Sequence, residues 1–323
     1  MFYKGKVVLV TGGSGFVGSH LVEALLEEGA TVRVPVHRRS LAVKDKGVET
    51  SQVDLTKWED CLAVVRDVDY VFHAAGGVGS AAVTALGSIG NITTYLVISA
   101  NVVNAALAAS VERLLLFSSS TVYPAVEYPI KEEEMWNGPP HPSYFGYGWM
   151  RRYIERLAEF VAKESALKIA LVRPTGVYGP RDNFDLTTCH VIPALIRKAV
   201  ERTNPYEVWG SGEEIRDFLH VTDLARGCLL MLEKCATCEP VNIGYGKGVT
   251  IKEVTAMILG AAGYENARVV FNRSKPTNIP VRIVDISKAR NILGFEPSVS
   301  LEAGLTDTTN WYMGSKGKTR SSV

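Results

Sequence analysis

Thr11-Gly12-Gly13-Ser14-Gly15-Phe16-Val17-Gly18 joins a β-branched apolar run, Lys6–Thr11, to a helical pattern in which Val17, Leu21, Leu25 and Glu28 recur at spacings near four. Such a stripe buries one face while Glu23 and Glu27 meet water, and Gly29 closes the helix. Glycines at 12, 15 and 18 meet three demands together: a tight turn, close approach of backbone to a pyrophosphate, and close packing of helix on strand. The helix N-terminus then faces the anion. A glycine triplet alone is a weak signal. With a strand before it and a helix after it, Gly12, Ser14, Gly15, Phe16, Val17 and Gly18 become candidate dinucleotide-binding residues.

Further short apolar runs at Thr31–Val36, Asp69–His73, Arg113–Ser119 and Lys168–Arg173 alternate with helical patterns. Uniformly apolar strands separated by helices predict an α/β fold, a Rossmann-type doubly wound parallel sheet covered on both faces. From Gly176 the text changes to GVYGPRDN, a helical run His190–Arg202, the loop WGSGEEIRDF and a second helix Val221–Lys234. Clustered Pro, Gly and Asn there predict a smaller C-terminal substrate-binding lobe with functional loops. Residues 1–175, with about 217–246, are expected to form the dinucleotide-binding domain, and 176–216 with 247–323 the lobe. The C-terminal SKGKTRSSV is polar and basic, a composition that frays.

The 323 residues are 46% hydrophobic and 21% charged, the composition of a globular chain rather than a disordered or collagen-like one. Lys+Arg of 35 against Asp+Glu of 34 leaves a charge of +1, so no global field recruits nucleic acid or an anionic membrane. An odd count of five cysteines suits a reducing compartment, and MFYKGKVVLVTGG lacks a signal-peptide plan, so a cytoplasmic location is expected. The most apolar stretch, Ile89 to Ala109, carries Asn91, Asn101 and Asn104 and reads as a buried helix rather than a membrane span. Cys235-Ala236-Thr237-Cys238 has metal-like spacing, but no second ligand pair stands at suitable distance, and no metal is expected.

The second strand ends in Val34-Pro35-Val36-His37-Arg38-Arg39-Ser40, without an acid. A carboxylate there accepts from the ribose 2′-OH of NAD, whereas arginine meets the 2′-phosphate of NADP. Arg38 and Arg39 therefore favour NADP over NAD; the alternative is that they are solvated loop charges.

Gly12–Gly18, Asp54-Leu55, His73-Ala74-Ala75-Gly76, Asn101, Ser118-Ser119-Ser120-Thr121-Val122-Tyr123 and Arg173-Pro174 stand in the order seen in extended short-chain dehydrogenase/reductases, a family the chain resembles over nearly its whole length. Tyr178–Asn183, His190–Leu195 and Arg216–Val221 are similar to the GDP-L-fucose synthase-like members. The resemblance implies that Asp54, Leu55, Ala74, Ala75, Gly76, Pro174 and Val177 join the cofactor site.

In this family a Tyr-x-x-x-Lys pair lies on a helix, where an i,i+4 spacing shares one face. Tyr144 is followed four later by Gly148, so the pair here is Tyr147 and Arg151, a departure from the family lysine. A phenol ordinarily ionises near pH 10, and a fixed cation beside it favours the phenolate. Arginine supplies the charge but is bulkier, carries its donors in a planar fork and cannot give up its proton. Arg151 would hold the nicotinamide ribose, and Tyr147 would protonate the substrate oxygen polarised by Ser119. Thr121 stands where the fucose-synthase pattern has a cysteine acid/base, so epimerisation through a thiol loses support while hydride transfer at a carbonyl remains. His190 matches a second acid/base position; alternatively it caps a helix start. The resemblance also implies a nucleotide-sugar substrate held by Ser119, Thr121, Asn183, His190, Trp209, Arg216, Lys275 and Arg282, and a homodimer. The expected activity is NADPH-dependent reduction of a 4-keto nucleotide-linked deoxysugar. Its rivals are a C4 epimerase, a GDP-L-fucose synthase-like epimerase/reductase, and a catalytically weak NADP-binding sensor.

Overall fold

The computed structural model describes residues 1–37, 39–76 and 89–320. Its first half runs β1 (Val7–Thr11), α1 (Phe16–Glu27), β2 (Thr31–Val36), β3 (Val48–Gln52), α2 (Trp58–Val65), β4 (Tyr70–His73), α3 (Ile89–Ala108), β5 (Arg113–Phe117), α4 (Phe145–Glu164) and β6 (Lys168–Pro174). It continues with β7 (Gly176–Tyr178), α5 (Val191–Val200), β8 (Tyr206–Trp209), β9 (Ile215–Arg216), β10 (Phe218–His220), α6 (Val221–Lys234) and β11 (Pro240–Ile243). The last part holds β12 (Val249–Thr250), α7 (Ile251–Ala261), β13 (Val269–Asn272), β14 (Val281–Arg282), α8 (Ser287–Leu293) and α9 (Leu301–Arg320).

Seven strands form one sheet in the order β11-β6-β5-β4-β1-β2-β3, and every pairing in it is parallel. The fold is the Rossmann-type α/β arrangement expected from the apolar runs. Parallel strands need both faces covered. Leu21, Val22 and Leu25 of α1 pack with Leu224, Cys228 and Leu232 of α6 in one buried cluster. Cys61 and Val65 of α2, Val102 and Ala106 of α3, and Met150 and Ile154 of α4 form a second. The strand order reverses between β1 and β4, and the crevice outside their C-terminal ends is where such sheets bind ligands.

Two findings differ from the sequence reading. The edge strand β3, Val-Glu-Thr-Ser-Gln, carries no apolar run because it pairs on one side only and is half exposed. The stretch expected to be a buried helix, α3, is buried along one face alone: Tyr95, Ser99, Val102, Val103, Ala105 and Ala106 pack inward, while Ile89, Val97 and Leu107 are exposed. It is apolar on both faces, so hydrophobicity could not say which one the sheet covers. By length and composition α3 could cross a membrane, the one such helix among the described residues.

The remaining strands make three small sheets, β10-β7, β12-β9-β14 and β13-β8. They share a third cluster built from Ile192, Leu195 and Ile196 of α5, Val254 and Ile258 of α7, and Leu305 of α9. Thr250 and Glu253 close a capping box at the start of α7.

Candidate active site

At the C-terminal ends of β1 and β4, Thr11 and His73 are register partners, and Thr11 Oγ1 lies 2.8 Å from His73 Nδ1. The Ala75 amide donates to the same Thr11 oxygen at 3.1 Å, which folds the turn after β4 against the turn after β1. His73 is sealed between Thr11 and Ser99, and burial lowers its imidazole to about 3, so it is a neutral structural group. Gly12 has φ +73°, and a Cβ there would lie 2.6 Å from the Ala74 carbonyl oxygen. A Cβ on Gly18 would stand 2.1 Å from the Gly12 oxygen, so helix and turn touch backbone to backbone.

Gly15 is the N-cap of α1, with no side-chain cap and no acid in the first turn. The first-turn amides thus have neither a capping side chain nor an acid, and the cradle fits a dinucleotide pyrophosphate. Asp54, expected at the cofactor site, accepts at Oδ1 from the Thr56 amide and hydroxyl at 3.0 and 2.7 Å, which holds its carboxyl below the usual range. At the end of β2, His37 and Arg39 are exposed; Arg38 lies outside the described residues.

Strand β5 stops at Phe117, two residues short of the expected Ser119, because Ser119 turns to cap a short 3-10 helix, Ser120–Val122. Its Oγ accepts from the Thr121 amide at 3.2 Å. Tyr147 is 4% exposed, and its hydroxyl, like those of Ser118 and Thr121, is enclosed without a hydrogen-bond partner among the described residues. Orphaned buried hydroxyls are uncommon in folded proteins unless something else supplies their partners.

Arg151 shares the Tyr147 face of α4 and is 5% exposed. Its Nη1 donates to the Phe117 carbonyl and to Tyr95 Oη, and its guanidinium lies 4.1 Å from the Tyr95 ring centre. The neighbouring Arg152 points elsewhere. It donates to the carbonyls of Val122, Met135 and Gly138 and rests on Trp136 and Trp149.

Sequence reasoning did not find the support beneath these groups. Arg173 on β6 forms a fully buried pair with Glu155 of α4 at 2.6 Å and donates to Tyr123 Oη at 2.9 Å. Tyr123 donates to Asn242 Oδ1 at 2.6 Å, and the Asn242 amide donates to Glu132. The segment carrying Ser119 and Thr121 is thereby tied to α4, β6 and β11.

Outside the seven-stranded sheet, Arg216 and Arg282 are register partners on adjacent parallel strands, β9 and β14. Like charges placed opposite each other destabilise a sheet. Arg216 donates to the carbonyls of Ile215, Thr277 and Pro280, Arg282 faces the Tyr144 ring at 5.7 Å, and neither has an ion-pair partner among the described residues. Arg282 Nη2 is buried without a hydrogen-bond partner among the described residues; burial, reinforced by Arg216, lowers this guanidinium to about 10. His190 is the N-cap residue of α5, but its exposed ring makes no capping hydrogen bond; desolvation lowers its imidazole. Trp209 lies under Lys275, whose ammonium is 5.4 Å from the ring centre. Asn183 spends its side chain within its own loop, on Thr188 and the Asp185 amide. Among the described residues no group of three or more His, Cys, Asp or Glu is placed to hold a metal ion, and all five cysteines are free.

The model of the NAD dependent epimerase/dehydratase family matches residues 8–244. A probable GDP-L-fucose synthase from Oryza sativa subsp. japonica is 34% identical over 319 residues, covering 96% of this chain and 93% of that protein. A dTDP-4-dehydro-6-deoxy-D-allose reductase from a Streptomyces species is 30% identical over 321 residues, with 96% and 97% covered. Among solved structures, the UDP-glucose 4-epimerase of Thermotoga maritima with UDP-glucose has a TM-score of 0.86 at 27% identity, covering 96% of this chain and 99% of that one. The chain belongs to the NAD dependent epimerase/dehydratase family and is an NAD(P)-dependent enzyme of the extended short-chain dehydrogenase/reductase type.

Proposed function

We propose that this protein reduces the 4-keto group of a nucleotide-linked deoxysugar with NADPH. The observation that carries the reading is the enclosed, unpartnered Tyr147 hydroxyl on the same helix face as Arg151, beside the serine-rich turn. Relatives named as a GDP-L-fucose synthase and a dTDP-4-dehydro-6-deoxy-D-allose reductase support the substrate class.

When bound, NADPH supplies a hydride to the carbonyl carbon. Gly12, Ser14, Gly15, Phe16, Val17 and Gly18 would hold its pyrophosphate, with Ala74, Ala75 and Gly76 on one side and Pro174 and Val177 on the other. Arg39, and Arg38 with it, would meet the 2′-phosphate, since no acid stands at the end of β2. Arg151 has committed one guanidinium nitrogen to protein, which leaves Nε and Nη2 for the ribose hydroxyls. Ser119 accepts from an amide and so keeps its own proton to donate to the sugar oxygen, and Tyr147 gives that oxygen its proton as the carbonyl becomes an alcohol. Arg216 and Arg282 present two uncompensated guanidinium groups, the donor set a diphosphate matches. His190, Thr121, Trp209 and Lys275 would line the sugar and base end, and residues 176–216 with 247–323 would form the lobe that closes over them.

A second reading, C4 epimerisation, is favoured by the likeness to a UDP-glucose 4-epimerase and by Thr121 near Ser119. It differs in consuming no reductant. Purified protein mixed with NADPH and GDP- or dTDP-linked 4-keto-6-deoxy sugars separates the two: one NADPH lost per alcohol formed, abolished in Tyr147→Phe, supports reduction. Interconversion of C4 epimers with no net loss of NADPH would reject it. For assembly we infer a homodimer, because Val97 and Leu107 of α3 and Trp149, Tyr153 and Phe160 of α4 leave large apolar surface on neighbouring helices exposed.

A further inference from the structure

We propose that Tyr95 is a positioning residue for Arg151, the partner that lets an arginine serve at this place in the site. The inference rests on the role given to Arg151 above. Arg151 is a buried cation with no carboxylate partner among the described residues. What surrounds it instead is Tyr95: the guanidinium Cζ lies over the ring, 4.1 Å from its centre, and the hydroxyl accepts from Nη1. Tyr95 Oη also lies 3.4 Å from the Phe117 carbonyl, the other acceptor of Nη1. Ring face, hydroxyl and carbonyl thus fix both the plane and the rotation of the fork. A planar fork with one nitrogen pinned presents its other donors in a set direction, whereas an ammonium would have no plane to fix.

The neighbouring sequence is fitted to this ring. Gly76 has φ +142°, and a Cβ there would fall 1.9 Å from Tyr95 Cε2, so the turn after β4 has room for the tyrosine only because this residue is glycine. The ring centre is also 6.2 Å from that of His73, itself locked between Thr11 and Ser99. Gly76, Tyr95 and Arg151 therefore interlock across three elements. Tyr95 is the member that touches the guanidinium without belonging to any motif read from the sequence.

The test is a double-mutant cycle with Tyr95→Phe, Arg151→Lys and the pair. Phenylalanine keeps the ring beneath the guanidinium and against Gly76, and thermal unfolding checks that the fold is retained. Dissociation constants for NADPH and NADP+ are read by quenching of protein fluorescence, and kcat and KM for the 4-keto sugar by NADPH absorbance. In the native background Tyr95→Phe is expected to weaken NADPH binding and lower kcat by about tenfold each, the worth of one hydrogen bond to a charged group, with KM for the sugar unchanged. In the Arg151→Lys background the same substitution should change both by less than twofold. Equal losses in the two backgrounds, a fall in thermal midpoint alone, or no loss in the native background would overturn the assignment. If the native chain binds dinucleotide and the cycle shows no coupling, the Tyr95 proposal fails alone; if it binds none, the functional reading fails with it.

Discussion

Arg282→Met should make the ligand-free protein more stable while removing its affinity for a nucleotide diphosphate. Arg282 is 7% exposed, lies beside Arg216 on the adjacent strand, and has a buried Nη2 without a hydrogen-bond partner among the described residues. Burial first, and the Arg216 charge with it, lowers the guanidinium well below its ordinary value, to about 10. At about 1.4 kcal/mol for each tenfold change, that fall represents about 3 kcal/mol of unfavourable charge burial. The group stays protonated throughout the neutral range, so the cost is carried at every pH up to its own titration. Its one hydrogen bond among the described residues, to the Pro124 carbonyl, is long at 3.5 Å and returns at most about 1 kcal/mol. Methionine fills similar volume without charge, so the variant should gain about 2 kcal/mol, a rise of about 3 °C or more in thermal midpoint. Adding UDP, GDP or dTDP sugars should raise the midpoint of the native protein and leave the variant where it was. A variant less stable than the native chain, or one stabilised by the same nucleotide to the same degree, would refute the reading of this arginine pair as an anion site.

Other consequences follow from groups around the site. Glu155→Gln strands Arg173, whose guanidinium is fully buried, and should cost about 3–5 kcal/mol, seen as a fall of at least about 5 °C in midpoint; an unchanged midpoint would mean that the pair carries no stability. His73 is held neutral down to about 3 while the unfolded chain takes up a proton near 6.5, so its contribution is complete above pH 6.5 and is lost as pH falls. Between pH 6.5 and 5 that loss is about 2 kcal/mol, and urea titrations of His73→Asn should lack it. Arg39→Glu should shift the ratio of NADPH to NADH affinity toward NADH by at least about tenfold, because a carboxylate repels the 2′-phosphate and suits the free 2′-OH; an unchanged ratio would make Arg39 a solvated loop charge.

The sheet was legible because parallel strands buried on both faces are spelled as continuous apolar runs, and Thr31–Val36 and Val221–Lys234 run as the text reads. The glycine turn was legible for the same kind of reason: Gly12 and Gly18 have no room for a Cβ. Edge and face were harder. A polar strand such as β3 carries no periodic signal, and α3, apolar on both sides, does not say which side meets the sheet.

Around the candidate site, spacing pairs Tyr147 with Arg151 rather than Arg152, but it does not say what either guanidinium touches. One residue turns a helix by about 100°, and that rotation sends one guanidinium to Tyr95 and the other to three loop carbonyls. Tyr95 lies 56 positions from Arg151, and Glu155 is 18 from Arg173; no local pattern marks such pairs. Glu23 was read as facing water and instead takes Arg181 from the loop after β7, a contact only the folded chain reveals. Asn183, expected from resemblance at the substrate, donates to Thr188 and accepts from the Asp185 amide within its own turn, as asparagine in loops often does.

The measurement closest to the central claim is isotope transfer to the sugar from NADPH carrying deuterium at both hydrogens of the nicotinamide C4. With a nucleotide-linked 4-keto-6-deoxy sugar the account predicts deuterium at C4 of the product alcohol, one equivalent per NADPH consumed, and none with Tyr147→Phe. An epimerised sugar without deuterium and without loss of NADPH, or consumption of NADPH with no label at C4, would contradict it.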